Sequence, residues 1–273
     1  MSAWLAAARS FLFVPGHRPE RFDKALATEA DAVIVDLEDA VPADEKAAAR
    51  TALAAAWQRW SAPDRARVVV RINAAGTPWH TDDLAWLPQL DGLPAFMLSK
   101  AEQVADLAAV PAAGLIPLIE SAEGLAQIDL LARSPRVLRL ALGHLDLQAD
   151  LGMACGPDEA ELAPVRLALV VASRRAQLAA PIDGVSTDTQ NMALVQADAA
   201  RSRRFGLTAK LCIHPLQVAA VHLAFAPSAE KLDWARRVLA AEAAAGGGAF
   251  KVDGRMVDPP VLLLARQCLA QRR

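Results

Sequence analysis

Cysteine is scarce and scattered. Cys155, Cys212 and Cys268 are the only three in 273 residues, and no CxxC pair occurs. A disulfide framework is therefore excluded, and a reducing cytoplasm is the expected setting. Long uncharged apolar runs are missing too. None approaches the ~20 residues of a bilayer-spanning helix. Arg9 interrupts the mildly apolar start MSAWLAAARSFLFVPG, which lacks a basic region and a cleavage site. No basic block stands out either, with 29 Lys and Arg against 31 Asp and Glu and a formal net charge of −2. The clusters RSRR (201–204) and QRR (271–273) are short and read as solvated faces, so neither nucleic acid nor a membrane is an expected partner. Several motifs are also absent. There is no GxGxxG after the first apolar run, which weighs against a dinucleotide cofactor. There is no GxSxG elbow. The histidines His17, His80, His144, His214 and His222 show no HExxH or paired zinc spacing.

What is present is ample core material, 54% hydrophobic residues against 22% charged, in a regular alternation. Short apolar, β-branched runs stand at 10–16, 31–39, 67–73, 95–100, 114–121, 137–143, 182–187 and 209–215. Their nearly continuous apolar character suits strands buried on both faces of a parallel sheet. Ala- and Leu-rich stretches of helical composition separate them, for example ADEKAAARTALAAAWQRW (43–60) and APVRLALVVASRRAQLA (163–179). The pattern predicts an α/β chain folded as a TIM (β/α)8 barrel, with a doubly wound open sheet as the competing architecture. The barrel is expected over 1–225. A C-terminal helical extension and mobile tail are expected over 226–273, with Gly246–Gly248 as a hinge.

Polar residues close the apolar runs: Asp36, Glu38 and Asp39; Arg71 and Asn73; Lys100; Glu120; Asp146; Asp183 and Thr187; His214. Folding alone does not require charge there, because a buried charge costs several kcal/mol unless it is paired or metal-bound. The set reads as one polar site at the C-terminal ends of the strands, where barrel enzymes carry their chemistry. Carboxylates from several strands are oxygen-only ligands and suit Mg2+, with Mn2+ possible. Arg71 ends VVVRIN (68–73) and is placed to hold a substrate carboxylate in a bidentate fork; the alternative is an ion pair with a carboxylate of the second strand. Glu120, which ends the uncharged run GLIPLI, reads as a metal ligand, or else as a surface-loop residue. His214 reads as structural and Cys212 as core. In ALGHLDLQADLG (141–152), Asp146 reads as the second ligand and Asp150 as a capping or supporting residue. A metal beside an arginine would bind a 2-oxo or 2-hydroxy acid and stabilise an oxyanion or enolate.

Beyond these readings, RSFLFVPGHRPERFDKALATEADAVIVDLEDAVPADEKAAAR (9–50) strongly resembles the start of citrate lyase β-subunit-like proteins of the HpcH/HpaI aldolase and citrate lyase family. The likeness continues through VVVRIN, PLIESAEGL, ALGHLDLQADLG, AKLCIHPLQ and AFKVDGRMVDPPVLLLAR, in order over essentially the whole chain. It implies a TIM barrel and a Mg2+-dependent lyase, of the oxo-acid-lyase class, that cleaves or forms a C–C bond in 3-hydroxyacyl thioesters such as malyl-CoA, citramalyl-CoA or a citryl thioester. The partners it implies are the CoA or carrier-protein thioester and a short 2-oxo acid. By this resemblance Arg71 grips the substrate carboxylate. Glu120 binds both metal and substrate, and Asp146, the aspartate of GHLD, is the other metal ligand. Glu38 and Asp39 would lie near the metal's waters, and Asp39 aligns with the position of a basic histidine in related aldolases. Asp258, in the MVD element, would reach a neighbouring subunit's site within a homotrimer or hexamer. Two departures, SK at 99–100 where PK is frequent and AK at 209–210 where GK is frequent, touch the thioester arm more than the metal. Rival readings are thioester hydrolysis or a malate synthase-like reaction at the same site, a citrate lyase β-subunit acting on a carrier-protein thioester, and a non-catalytic binding protein.

Overall fold

The structure is a computed structural model that describes residues 3–110, 113–245 and 248–270. Close contacts divide the chain into two units, Met1–Leu223 and Ala224–Arg273. The division falls inside the helix Gln217–Phe225; the boundary expected from the sequence follows residue 225.

The first unit is a closed parallel barrel in the order β1 to β8. Its strands are β1 (Ser10–Pro15), β2 (Ala32–Asp36), β3 (Val68–Ile72), β4 (Ala95–Leu98), β5 (Gly114–Ile119), β6 (Ala141–Leu142), β7 (Ile182–Asp183) and β8 (Ala209–Cys212). β8 closes on β1 with Ser10 opposite Lys210. The runs predicted from apolar character thus all become strands, in order. Phe11, Ile34, Val69, Met97, Ile116, Leu118, Ile182 and Leu211 fill one core cluster. Their spacing of two along β5 is the pleat's period, with the alternate residues turned toward the surrounding helices.

Two strands are shorter than expected. The run 137–143 pairs as a strand only at Ala141–Leu142, with an isolated bridge between Val137 and Leu115. The run 182–187 stops at Asp183, and the next residue, Gly184, lies so close to His144 that a Cβ there would collide with the imidazole. Between β6 and the next helix, His144–Leu151 is helical rather than a turn. It ends at Gly152, whose φ of 63° is the left-handed cap that glycine adopts freely. Among the described residues no helix is long and apolar enough to cross a membrane.

The barrel's N-terminal end is gathered by one cation. Arg139 is fully buried and donates to the carbonyls of Leu5, Ala8 and Ala180 and to the Thr208 hydroxyl. These residues lie in the helix Ala3–Ala7 or just before β1, β7 and β8. Burial pulls its pKa down to about 9.

The second unit holds the helices Ala229–Ala245 and Pro259–Ala270 and a hairpin of β9 (Phe250–Val252) and β10 (Arg255–Val257). The hairpin stands where only a polar, mobile segment was expected. Its turn residues Asp253 and Gly254 have φ of 49° and 75°, the conformation for which Asp-Gly is the favoured pair. Ala235, Val238, Val257 and Ala265 form this unit's core. Of the expected glycine hinge, Gly246 and Gly247 lie outside the described residues. All three cysteines are free.

Replacing Arg139 by Ala strands buried carbonyls and should cost about 3 kcal/mol or more. The measurement is the urea midpoint of the variant against wild type.

Candidate active site

The barrel mouth is built by continuing its inner rows one residue further. Ile34 and Val69 face the core, so Asp36 and Arg71, two residues on, face the same interior at the mouth. They are register partners across β2 and β3. Leu118 leads likewise to Glu120. The row that is apolar inside the barrel becomes charged where it meets solvent.

Arg71 is almost fully claimed by its own barrel. Its Nε and Nη2 donate to Asp36 Oδ1 and Oδ2 at 2.7 and 2.6 Å. The bidentate fork expected for a substrate is therefore occupied by Asp36, the alternative weighed from the sequence. What remains is Nη1, which lies 2.9 Å from Glu38 Oε2 and 3.7 Å from Asp39 Oδ2. The guanidinium also sits over the Phe13 ring, 4.8 Å from its centroid.

Asp36 does a second job. Its carboxylate accepts the N–H of Glu38 at 2.9 Å and of Ala40 at 3.1 Å, an Asx-type turn that folds the chain after β2. Lys46 is buried and donates to the Leu37 and Glu38 carbonyls, both at 2.9 Å. Asn73 also donates to Leu37 O, and Asp83, itself paired with Arg50, holds Asn73. The Glu38 backbone is thus fastened from several sides while its carboxylate faces the mouth. Although Nη1 of Arg71 is near, Glu38 Oε2 has no hydrogen bond of acceptable geometry.

Glu120 is 2% exposed, and its Oε1 accepts the Lys100 N–H at 2.7 Å. Lys100 contributes that amide from a left-handed backbone with φ 46°, and its side chain is exposed. Burial, then the Glu38 charge, with Asp146 adding, push the Glu120 carboxyl up to about 8. Burial, with Asp39 and Asp36, pushes Glu38 up to about 7 against the pull of Arg71. Asp146 is half-buried in the first turn of His144–Leu151, and Asp39 is largely exposed. The structure therefore gathers Arg71, Glu38, Asp39, Glu120 and Asp146 at one mouth.

Other strand-end residues go elsewhere. Asp183 is fully buried among Arg166, Lys210 and Ser202, a network reaching Glu159, Arg201 and Asp198. This is helix-to-strand scaffolding. His214 Nδ1 accepts the Leu216 N–H, a turn contact. Asp258 belongs to the second unit, where Oδ1 accepts the Val261 N–H at 3.3 Å at the start of Pro259–Ala270. A Ser–His–Asp grouping does form, Ser10–His222–Asp31, but at the start of β1. Both contacts use Nε2, at 2.8 Å to Ser10 and 3.3 Å to Asp31. A catalytic triad uses one imidazole nitrogen for each partner, so this grouping is structural.

The turn-forming role of Asp36, the Lys46–Asn73–Asp83 support and the Lys100 amide were not among the expected features. For Asp36 a signal existed, an aspartate two residues before the residue whose N–H it accepts. A backbone amide carries no such signal.

Residues 9–215 match the family described as HpcH/HpaI aldolase/citrate lyase. A citrate lyase subunit beta-like protein of Mycobacterium tuberculosis is 40% identical over 97% of this chain and 95% of its own. A (3S)-malyl-CoA thioesterase of Cereibacter sphaeroides is 33% identical over 96% and 94%. The crystal structure of the M. tuberculosis protein CitE in complex with magnesium, acetoacetate and coenzyme A superposes with a TM-score of 0.87. It is 38% identical over 97% of this chain and 98% of that one.

The raised carboxyls give a signed pH dependence. Between their ordinary value of 4.5 and the raised values of about 7 and about 8, the folded state keeps protons that the unfolded state has lost. Stability therefore falls as pH rises through that window. The melting temperature of chelator-treated protein should drop between about pH 5.5 and about pH 8. Glu120→Gln, which cannot ionise, should shrink the drop; an unchanged drop would remove Glu120 as its source.

Proposed function

The chain belongs to the HpcH/HpaI aldolase/citrate lyase family, and from that premise we propose that it is a magnesium-dependent carbon–carbon lyase. Its substrates on this reading are 3-hydroxyacyl thioesters of the malyl-, citramalyl- or citryl-CoA kind. The observation that carries the reading is a mouth with more buried carboxylate than its cations neutralise. Glu38 Oε2 is buried without a hydrogen bond, and Glu38 and Glu120 are both pushed toward the protonated form. Such oxygen donors fit a hard divalent cation. Among the described residues no three or more His, Cys, Asp or Glu side chains gather to hold a metal. The reading is therefore a two-carboxylate site, Glu120 and Asp146, completed by water and substrate, as magnesium accepts. The magnesium, acetoacetate and coenzyme A held by the similar CitE protein support it.

When bound, the ion would supply Lewis acidity to the oxygen of the 2-oxo acid portion. The protein's own groups do the rest. Asp36 holds Arg71 rigid, so Nη1 meets the substrate carboxylate from a fixed direction. The Lys100 amide fixes one oxygen of Glu120 and leaves the other for the site. In cleavage the 3-hydroxyl gives its proton to water, its oxygen becomes the carbonyl of the 2-oxo acid, and the bond from its carbon to the thioester's α-carbon breaks. The electron pair passes to the thioester as an enolate, and that carbon is then protonated. Asp258 of a second copy of the chain is the proposed proton donor, carried over from the family resemblance.

A second reading, thioester hydrolysis, is favoured by the similarity to the (3S)-malyl-CoA thioesterase. The products separate the two. With Mg2+, purified protein is expected to convert one or more of malyl-CoA, citramalyl-CoA and citryl-CoA to an acyl-CoA and a 2-oxo acid. Release of the free hydroxy acid with no oxo acid would favour hydrolysis. Glu120→Ala and Asp146→Ala should each lower turnover about 100-fold or more, and intact turnover would overturn the site. Asp258→Asn should lower kcat with little change in KM for the thioester. An unchanged kcat would remove it as the proton donor.

A further inference from the structure

The two carboxylates assigned to the metal come from different strands. Glu120 follows β5 directly, and Asp146 stands in the first turn of His144–Leu151, after β6. Nothing in the barrel's ladder sets their separation beyond Ile119, which pairs with Leu142. The two segments are joined at both ends of the helix, by the last bond of that ladder and by one bond beyond it. The Gly143 N–H donates to Ile119 O at 2.9 Å, just before Glu120 on one side and just before the helix on the other. Asp150 Oδ2 accepts the Ala122 N–H at 2.6 Å, two residues beyond Glu120. Asp150 lies four residues after Asp146, on the same face of the helix. Each ligand is thus bracketed, with one hydrogen bond before it and one after it along its own segment.

The near side of this bracket has no clearance. A Cβ on Gly143 would collide with Glu120 Oε2 and stand 2.6 Å from its Cβ. The helix therefore starts in direct contact with the Glu120 side chain. The far side is a short hydrogen bond from a backbone N–H to a side-chain oxygen. It also occupies the first N–H of the helix Ala122–Ala126, whose Gly124 N–H is taken by Ser121 Oγ.

We propose that Asp150 is a positioning residue that, with the Gly143–Ile119 bond, sets the spacing of Glu120 and Asp146 before any cation arrives. The inference rests on the metal site of the preceding section and deepens it. Partners that orient metal ligands typically carry 10–100-fold of metal affinity. Because Asp150 acts by accepting one N–H, an uncharged oxygen at the same place serves as well.

The test is Mn2+ binding, followed by electron paramagnetic resonance on full-length protein without substrate, for wild type, Asp150→Ala and Asp150→Asn. Asp150→Ala should weaken Mn2+ about tenfold. Asp150→Asn, whose amide oxygen still accepts the Ala122 N–H, should stay within about twofold. Amide hydrogen exchange in metal-free protein should speed up over 121–126 in Asp150→Ala and not in Asp150→Asn, with melting temperatures close to wild type in both. Equal Mn2+ affinity in wild type and Asp150→Ala overturns the inference. So does equal weakening in both variants, which would mean that Asp150 acts through its charge. A wild type that binds no Mn2+ overturns the metal reading itself, and the positioning role with it, and that result is distinct from the other two.

Discussion

A buried guanidinium needs an anion, and for Arg71 that anion is Asp36. The pair is bidentate, lies across adjacent strands in register, and is nearly closed to water. The β2–β3 side of the mouth is arranged from it. One edge of Arg71 is consumed, so Nη1 is the part left for a ligand. The same Asp36 carboxylate folds the chain after β2 and delivers Glu38 beside that nitrogen. Without Asp36 the arginine would swing, the turn would open, and Glu38 would lose one of its backbone supports.

The mouth is held together at a cost. Arg71 and Lys46 face Asp36, Glu38, Asp39, Glu120 and Asp146, and burial favours neutral carboxyls over charged ones. Glu38 and Glu120 therefore resist ionisation at neutral pH. Binding sites commonly carry such local destabilisation, because a ligand that relieves it gains affinity. The rest of the barrel is conventional by comparison: apolar inner rows, and ion pairs such as Arg166–Asp183 packed between strands and helices.

The strands were legible because a strand covered on both faces must be apolar throughout, and few other elements read that way. The places of Glu120 and Arg71 at the mouth were legible because each puts charge at the end of an apolar run. The partner of Arg71 was not readable to the same degree. Asp36 lies 35 residues away, and only strand register brings the two together. The His144–Leu151 helix was hidden by its brevity and by the glycines on either side of it. The β9–β10 hairpin was signalled by Asp253–Gly254 and passed over, since the surrounding residues are polar enough to read as a loop.

Lys100 separates what a residue's position does from what its side chain does. The left-handed backbone turns its amide onto Glu120, while the ammonium is left in solvent. A chemical tag on that amine is therefore joined, through the length of one side chain, to the backbone hydrogen bond that holds a buried carboxylate.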